Sequence, residues 1–167
     1  MENKMREIKI EKITLSIGGT GDKLEKGVKL LNLLTGKKPA KMMSRKRIPS
    51  LGVRPKLEVG AVSTVRKDIE KFLRRMLTGI DNRLRRKQIK ENHFSFGVKE
   101  YIEIPDMEYH REIGMMGFDV TVVFKRTGRR VRLRKIKRGK IPLRQKISKE
   151  EIIKFMEDKF KTEFIGK

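Results

Sequence analysis

Glu11-Lys12-Ile13-Thr14-Leu15-Ser16-Ile17-Gly18-Gly19-Thr20-Gly21-Asp22-Lys23-Leu24-Glu25 is the stretch that decides the fold. Its first half alternates. Ile13, Leu15 and Ile17 fall on one side of an extended backbone and Lys12, Thr14 and Ser16 on the other, the period of a strand buried on one face only. The alternation extends back towards Met5. Gly18 to Gly21 then stop the strand, and Asp22 followed three residues later by Glu25 has the spacing of a capping box. The helix this opens carries Leu24, Val28, Leu31 and Leu34 on one stripe, and Gly36 and Pro39 end it. The glycines lack dinucleotide-fingerprint spacing, and no G-x-x-x-x-G-K-[ST] occurs, so a tight turn is the preferred reading over a phosphate cradle.

Working outward, the same two periods recur. A short extended stretch runs from Lys38 to about Ser44. The loop 45–56 follows, where Pro49, Gly52 and Pro55 argue against regular structure. Leu57 to Arg66 alternates again, with Leu57, Val59, Ala61 and Val65 inward and Thr64 and Arg66 outward. Ile69, Phe72, Leu73, Met76, Leu77 and Ile80 form a helical stripe ending near Gly79. His93 to Ile104 reads as a strand with Phe94, Phe96, Val98, Ile102 and Ile104 in register, and Phe118 to Phe124 as another. Ser148 and Glu151 make a second capping box, before Ile152, Phe155, Met156 and Phe160, giving a C-terminal helix over 148–162. Helices interspersed with one-faced strands predict a single α+β domain over 1–167, its sheet largely antiparallel with helices packed on one face. A basic extension, 126–146, precedes the last helix.

The charge is as uneven as the pattern is regular. The chain has 167 residues and a formal net charge of +23. Residues 26–57 hold ten Lys/Arg and residues 120–149 hold thirteen, and neither segment has an Asp or Glu, so together they carry the whole excess. Such concentration of like charge is repulsive unless a polyanion offsets it, which makes nucleic acid the leading partner. A solvated tail is the bland alternative, but both segments lie between patterned elements. Lys12, Thr14, Lys38, Lys41 and Arg66 are candidate RNA contacts. So are Arg129, Arg130, Arg132, Arg134, Lys135, Lys137, Arg138, Lys140 and Arg144, where cations interleave with aliphatics. Arg45, Lys46, Arg47, Arg54 and Lys56 sit on the Pro/Gly-stiffened loop.

Other chemistry finds little purchase. There is no Cys, which removes disulfides and thiolate sites. His93 and His110 have no partner at metal spacing. Glu103, Asp106, Glu108 and Glu112 around His110 suggest an acid–base site, but no nucleophile or oxyanion donor accompanies them, and a solvated acidic loop is the preferred reading. Phe94 and Phe96 invite comparison with base-stacking strands, yet their register with Val98 assigns them to the core. No apolar run spans a bilayer, and Met1 to Lys12 is no signal peptide. A non-catalytic, cytoplasmic protein is expected, with no cofactor, metal or membrane partner.

Read as ordered strings, Glu11–Gly18, Leu34-Thr35-Gly36-Lys37-Lys38-Pro39, Ile48-Pro49-Ser50-Leu51-Gly52-Val53-Arg54, Phe94-Ser95-Phe96-Gly97, Ile104-Pro105 and Ile113-Gly114 resemble the universal large-subunit ribosomal protein L-five family, called L-eleven in eukaryotes. The basic stretch after Phe124 and the Ser148–Glu151 helix start resemble its archaeal and eukaryotic branch. The resemblance implies an α+β protein that binds 5S rRNA in the central protuberance and bridges it to large-subunit rRNA. Contacts at Ser16, Lys37, Leu51 and Thr64 are implied, as is a 45–56 loop reaching the P-site tRNA. The family commonly has Asn, Gln and Phe where Ser16, Lys37 and Leu51 stand. Implied neighbours are proteins of the 5S particle and of the small-subunit head, with nucleolar assembly if the source is eukaryotic. A free RNA-binding or assembly factor on the same fold is the alternative.

Overall fold

The computed structural model describes residues 3–166. Eight strands and four helices run in the order β1 (Ile8–Gly18), α1 (Asp22–Thr35), β2 (Ala40–Met43), β3 (Glu58–Val65), α2 (Ile69–Thr78), β4 (Arg83–Arg85), β5 (Ile89–Lys90), β6 (His93–Val98), β7 (Phe118–Arg126), α3 (Arg130–Leu133), α4 (Lys149–Phe160) and β8 (Glu163–Ile165). Six strands form an antiparallel sheet ordered β2-β3-β1-β7-β6-β5, and β4 pairs with β8 in a separate parallel ribbon. The α+β expectation holds.

Alternation explains which face is covered. Ile13, Leu15, Ile17, Ala61, Phe94, Phe96, Val98, Val120, Val122 and Phe124 are all buried, and they meet Leu30 and Leu31 of α1, Leu73 and Met76 of α2, and Ile152 and Met156 of α4; Val65 is buried as well. Burying one Leu or Phe there contributes about 1.5–3 kcal/mol. The assignment of Phe94 and Phe96 to the core, not to base stacking, is therefore correct. Gly27 in α1 faces Ile17, where an added Cβ would lie 2.9 Å from its Cγ2, so the helix rides close on β1. Among the described residues, the opposite sheet face has no helix on it.

β1 is not uniform. Ile8 and Ile10 pack against the core at even positions, whereas Ile13, Leu15 and Ile17 do so at odd ones. Its pairing with β7 skips between Ile10↔Phe124 and Lys12↔Val123, so Glu11 is the extra residue of a β-bulge that switches the phase.

Several expectations are corrected. Asp22 does not cap α1: Gly21, with φ 56°, holds the N-cap position, and no side chain bonds there. Leu57 lies outside β3 and is exposed, while Ser63 takes an inward position. β6 stops at Val98, and a 3-10 turn over Tyr101–Glu103 puts Tyr101 inside and Ile102 on the surface, because the turn breaks the two-residue period. The 45–56 loop contains a 3-10 turn, Pro49–Leu51, closed by Gly52 at φ 64°. The basic extension contains one helical turn, α3. The C-terminal helix ends at Phe160 because Lys161 is left-handed, whereas its Ser148–Glu151 capping box is present as expected. Among the described residues no helix is long and apolar enough to cross a membrane.

Candidate nucleic-acid interface

The uncovered face is organised in rows across the strands. Thr64 of β3 lies opposite Thr14 of β1, Thr14 opposite Thr121 of β7, and Thr121 opposite Ser95 of β6. Four hydroxyl side chains thus cross four strands, spanning roughly 14 Å at ordinary strand spacing. Ser95 and Thr121 hydrogen-bond to each other at 3.0 Å. The next row is Ala40, Val62, Ser16, Asp119 and Gly97, and on the other side of the hydroxyls lie Lys12, Val123 and His93. Each hydroxyl both donates and accepts, which suits ribose 2′-OH and phosphate oxygens alike. Lys12, Thr14, Ser16 and Thr64 are therefore brought together as expected. Thr121, Ser95 and Asp119 belong with them and were missed; their signal was the polar half of the alternation in β6 and β7.

The two acid-free segments bracket this face from opposite ends. Residues 44–57 leave the sheet where β2 meets β3, at the Gly18 end of β1. They form a hairpin arm: Ser44 N–H donates to Leu57 O at 2.8 Å, Lys56 N–H to Ser44 O at 2.8 Å, and Ile48 and Val53 exchange bonds of 2.9 and 3.1 Å. Val53 is buried, Leu51 at the tip is 71% exposed, and Arg45, Lys46, Arg47, Arg54 and Lys56 all point to solvent. Arg66 is exposed just past the far end of β3.

Lys37 and Lys38 are exposed after α1, on a turn that Thr35 steadies. Its hydroxyl lies 2.7 Å from Leu31 O and 3.0 Å from the buried Ser63 hydroxyl. Lys41 does not join the open face: it stands opposite the buried Ala61, and its Nζ donates to Glu58 at 2.7 Å, which raises the lysine's pKa.

The 126–146 extension leaves from the Ile8 end, where β7 finishes, and folds back on itself. Gly139 N–H donates to Val131 O at 3.1 Å, and an added Cβ at Gly139 would meet Val131 at 2.7 Å. A cleft of about 460 Å³ results, with Lys125, Arg129, Arg132, Arg138, Lys140 and Lys146 on its walls. Arg130, Arg134, Lys135, Lys137 and Arg144 are exposed outside it. Arg129, by contrast, is tied into the fold, donating to Glu11 and, at 3.2 Å, to Phe124 O. Arg126 is 8% exposed and bonds Glu151 and the Arg144 carbonyl, while Lys146 reaches Glu91 at 3.2 Å. Around His110, Glu112 pairs with Lys29 at 2.7 Å and Asp106 lies 4.0 Å from Arg75, so two of the four acids there face cations. No metal-holding cluster occurs among the described residues.

A one-sided sheet with a hydroxyl-lined face and free cations at both ends defines a basic, polyanion-binding α+β protein. Comparison with known proteins narrows that class. Residues 3–54 match the family model described as ribosomal protein L5, and residues 58–155 match the model for the C-terminus of the same ribosomal family. The chain belongs to the ribosomal protein L5 family. It is 38% identical to the large ribosomal subunit protein uL5 of Nanoarchaeum equitans, over 99% of this chain and 100% of that one. It is 37% identical to uL5 of Sulfolobus acidocaldarius, over 95% and 92%, and 37% identical to uL5 of Archaeoglobus fulgidus, over 93% and 89%.

Proposed function

We propose that the chain is a non-catalytic structural constituent of the large subunit of the cytoplasmic ribosome, and that its open face binds 5S rRNA in the central protuberance. The observation that carries this is the Thr64–Thr14–Thr121–Ser95 row, which no helix covers among the described residues and which the two cationic segments bracket. The extension bridges 5S rRNA to large-subunit rRNA, the arm reaches the P-site tRNA, and the remaining surface meets proteins of the 5S particle and the small-subunit head. The names of the relatives support the ribosomal part of this reading. Binding works by neutralising phosphates at the ends while the rigid hydroxyl face reads backbone shape. With about six to ten phosphate contacts, affinity falls by roughly 10³ to 10⁵ between 50 and 200 mM salt, and a flat response overturns the mechanism.

Ser16→Ala with Thr64→Ala tests the face. Binding to a 5S rRNA transcript is expected to weaken on the order of tenfold, about 1.4 kcal/mol, while circular dichroism stays native. Undiminished binding sinks the assignment. Sedimentation tests residence: a constituent stays with large subunits through a high-salt wash, whereas complete release would make it an assembly factor.

A further inference from the structure

At the Gly18 end of the open face lies a cleft of about 390 Å³ whose lining includes a single carboxylate, that of Asp119, together with Ser16, Gly97 and Met115 and with Lys23 and Lys99. Asp119 is exposed, and none of the ion pairs among the described residues involves it, Lys23 or Lys99. Its neighbour across the pairing is Gly97, where an added Cβ would stand 3.3 Å from the carboxylate Oδ1. The missing side chain leaves that oxygen open to a ligand. Gly117 brings two backbones together beside it, since a Cβ there would lie 2.5 Å from Lys99 O. Met115, 58% exposed, supplies a polarisable apolar wall.

An unpaired carboxylate on a phosphate-binding face repels the backbone, so what it attracts must be a donor. It accepts through two adjacent oxygens and donates nothing. Among neutral bases only guanine presents two adjacent donors on one edge, N1–H and the N2 amino group; each donor of the other bases adjoins acceptors. Two unpaired lysines in the same cleft disfavour an arginine from a protein partner and favour the phosphates that accompany a base.

We propose that Asp119 reads an unpaired guanine of the bound RNA, its carboxylate accepting from N1–H and N2–H. Lys23 and Lys99 hold flanking phosphates, and Met115 covers the base. This rests on the RNA-binding reading above and adds a base-specific element to it, since single-stranded bases are recognised on such edges.

The test exploits opposite signs. Removing a negative charge from a basic face strengthens any contact governed by charge alone. Asp119→Asn, isosteric and at an exposed site, is expected instead to weaken binding to a 5S rRNA transcript roughly 5- to 100-fold, the scale of one bidentate base contact. Binding to a generic RNA duplex at the same salt should be unchanged or tighter. Inosine-substitution interference mapping with the wild-type chain should find at least one guanine whose N2 group is required, and that position should fall silent with Asp119→Asn. Wild-type binding with no inosine-sensitive guanine, or equal or tighter 5S binding by the variant, overturns this proposal alone. A wild-type chain with no preference for 5S rRNA over the duplex overturns the RNA reading and this one with it.

Discussion

The hairpin arm and the folded-back extension look alike as sequence, each a run of cations without an acid, and they are built on different principles. In the arm, order comes from the backbone: the Ser44–Leu57 and Ile48–Val53 hydrogen bonds fix the chain, and the five cations between them take no part in any ion pair among the described residues. In the extension and at its base, charges share that work with backbone bonds such as Gly139 to Val131. Arg126, Arg129 and Lys146 reach acids on α4, β1 and the turn before β6, and Asn92 receives the Ile147 N–H at 3.1 Å. Net charge is therefore not available charge. One region offers nearly all its cations to a partner, and the other uses several to hold its own shape.

Breaking the extension's anchor should have the largest effect. Arg126→Ala strands Glu151, which also caps α4, and is expected to lower stability by about 2–3 kcal/mol, short of a fully buried pair because Glu151 is half-exposed. Urea unfolding measures it, and a change below about 0.5 kcal/mol would mean that the extension is not anchored this way. The arm should respond in the opposite sense. Replacing Arg45, Arg47 and Arg54 together by Gln should leave the unfolding midpoint unchanged while lowering the slope of log affinity against log salt by about three. A loss of stability there would erase the distinction.

The smallest effect concerns the exposed pair that joins α1 to the 107–117 loop. Lys29, chiefly through its hydrogen bond and then its charge, holds Glu112 below the ordinary carboxylate value of 4.5, and Glu112 likewise holds Lys29 above 10.5. The carboxylate's contribution is complete above about 4.5 and lost as pH falls through its depressed value. The lysine's is complete below 10.5 and lost as pH rises through its raised one. Carboxyl NMR titration of Lys29→Met should show the Glu112 midpoint returning upward, and an unmoved midpoint would dissolve the pair.

How much could be read beforehand follows from how many residues each feature had in which to declare itself. The long one-faced strands and the α2 stripe were legible because five or more positions vote on one period. The Ser148–Glu151 cap was legible because its two partners are local. β4, β5 and β8 have two or three residues each, too few for a period, and β4–β8 joins positions about 80 residues apart. Asp22 misled because a glycine one position earlier could take the left-handed backbone that the helix start uses. Of the candidate contacts, the polar face of β1 and β3 was visible in alternation. Nothing local showed that Lys41 would meet Glu58 or Arg129 would meet Glu11, since those acids belong to other strands.

The bulge at Glu11 sets what changes of length β1 can absorb. Deleting that one residue would join Ile10 directly to Lys12 and restore an unbroken two-residue period, with Ile8, Ile10, Ile13, Leu15 and Ile17 all still inward and the ladder to β7 regular. The loss would fall elsewhere, on Arg129, which would be left without the Glu11 carboxylate it bonds. The strand can therefore spare its extra residue, while the basic extension that Glu11 holds cannot.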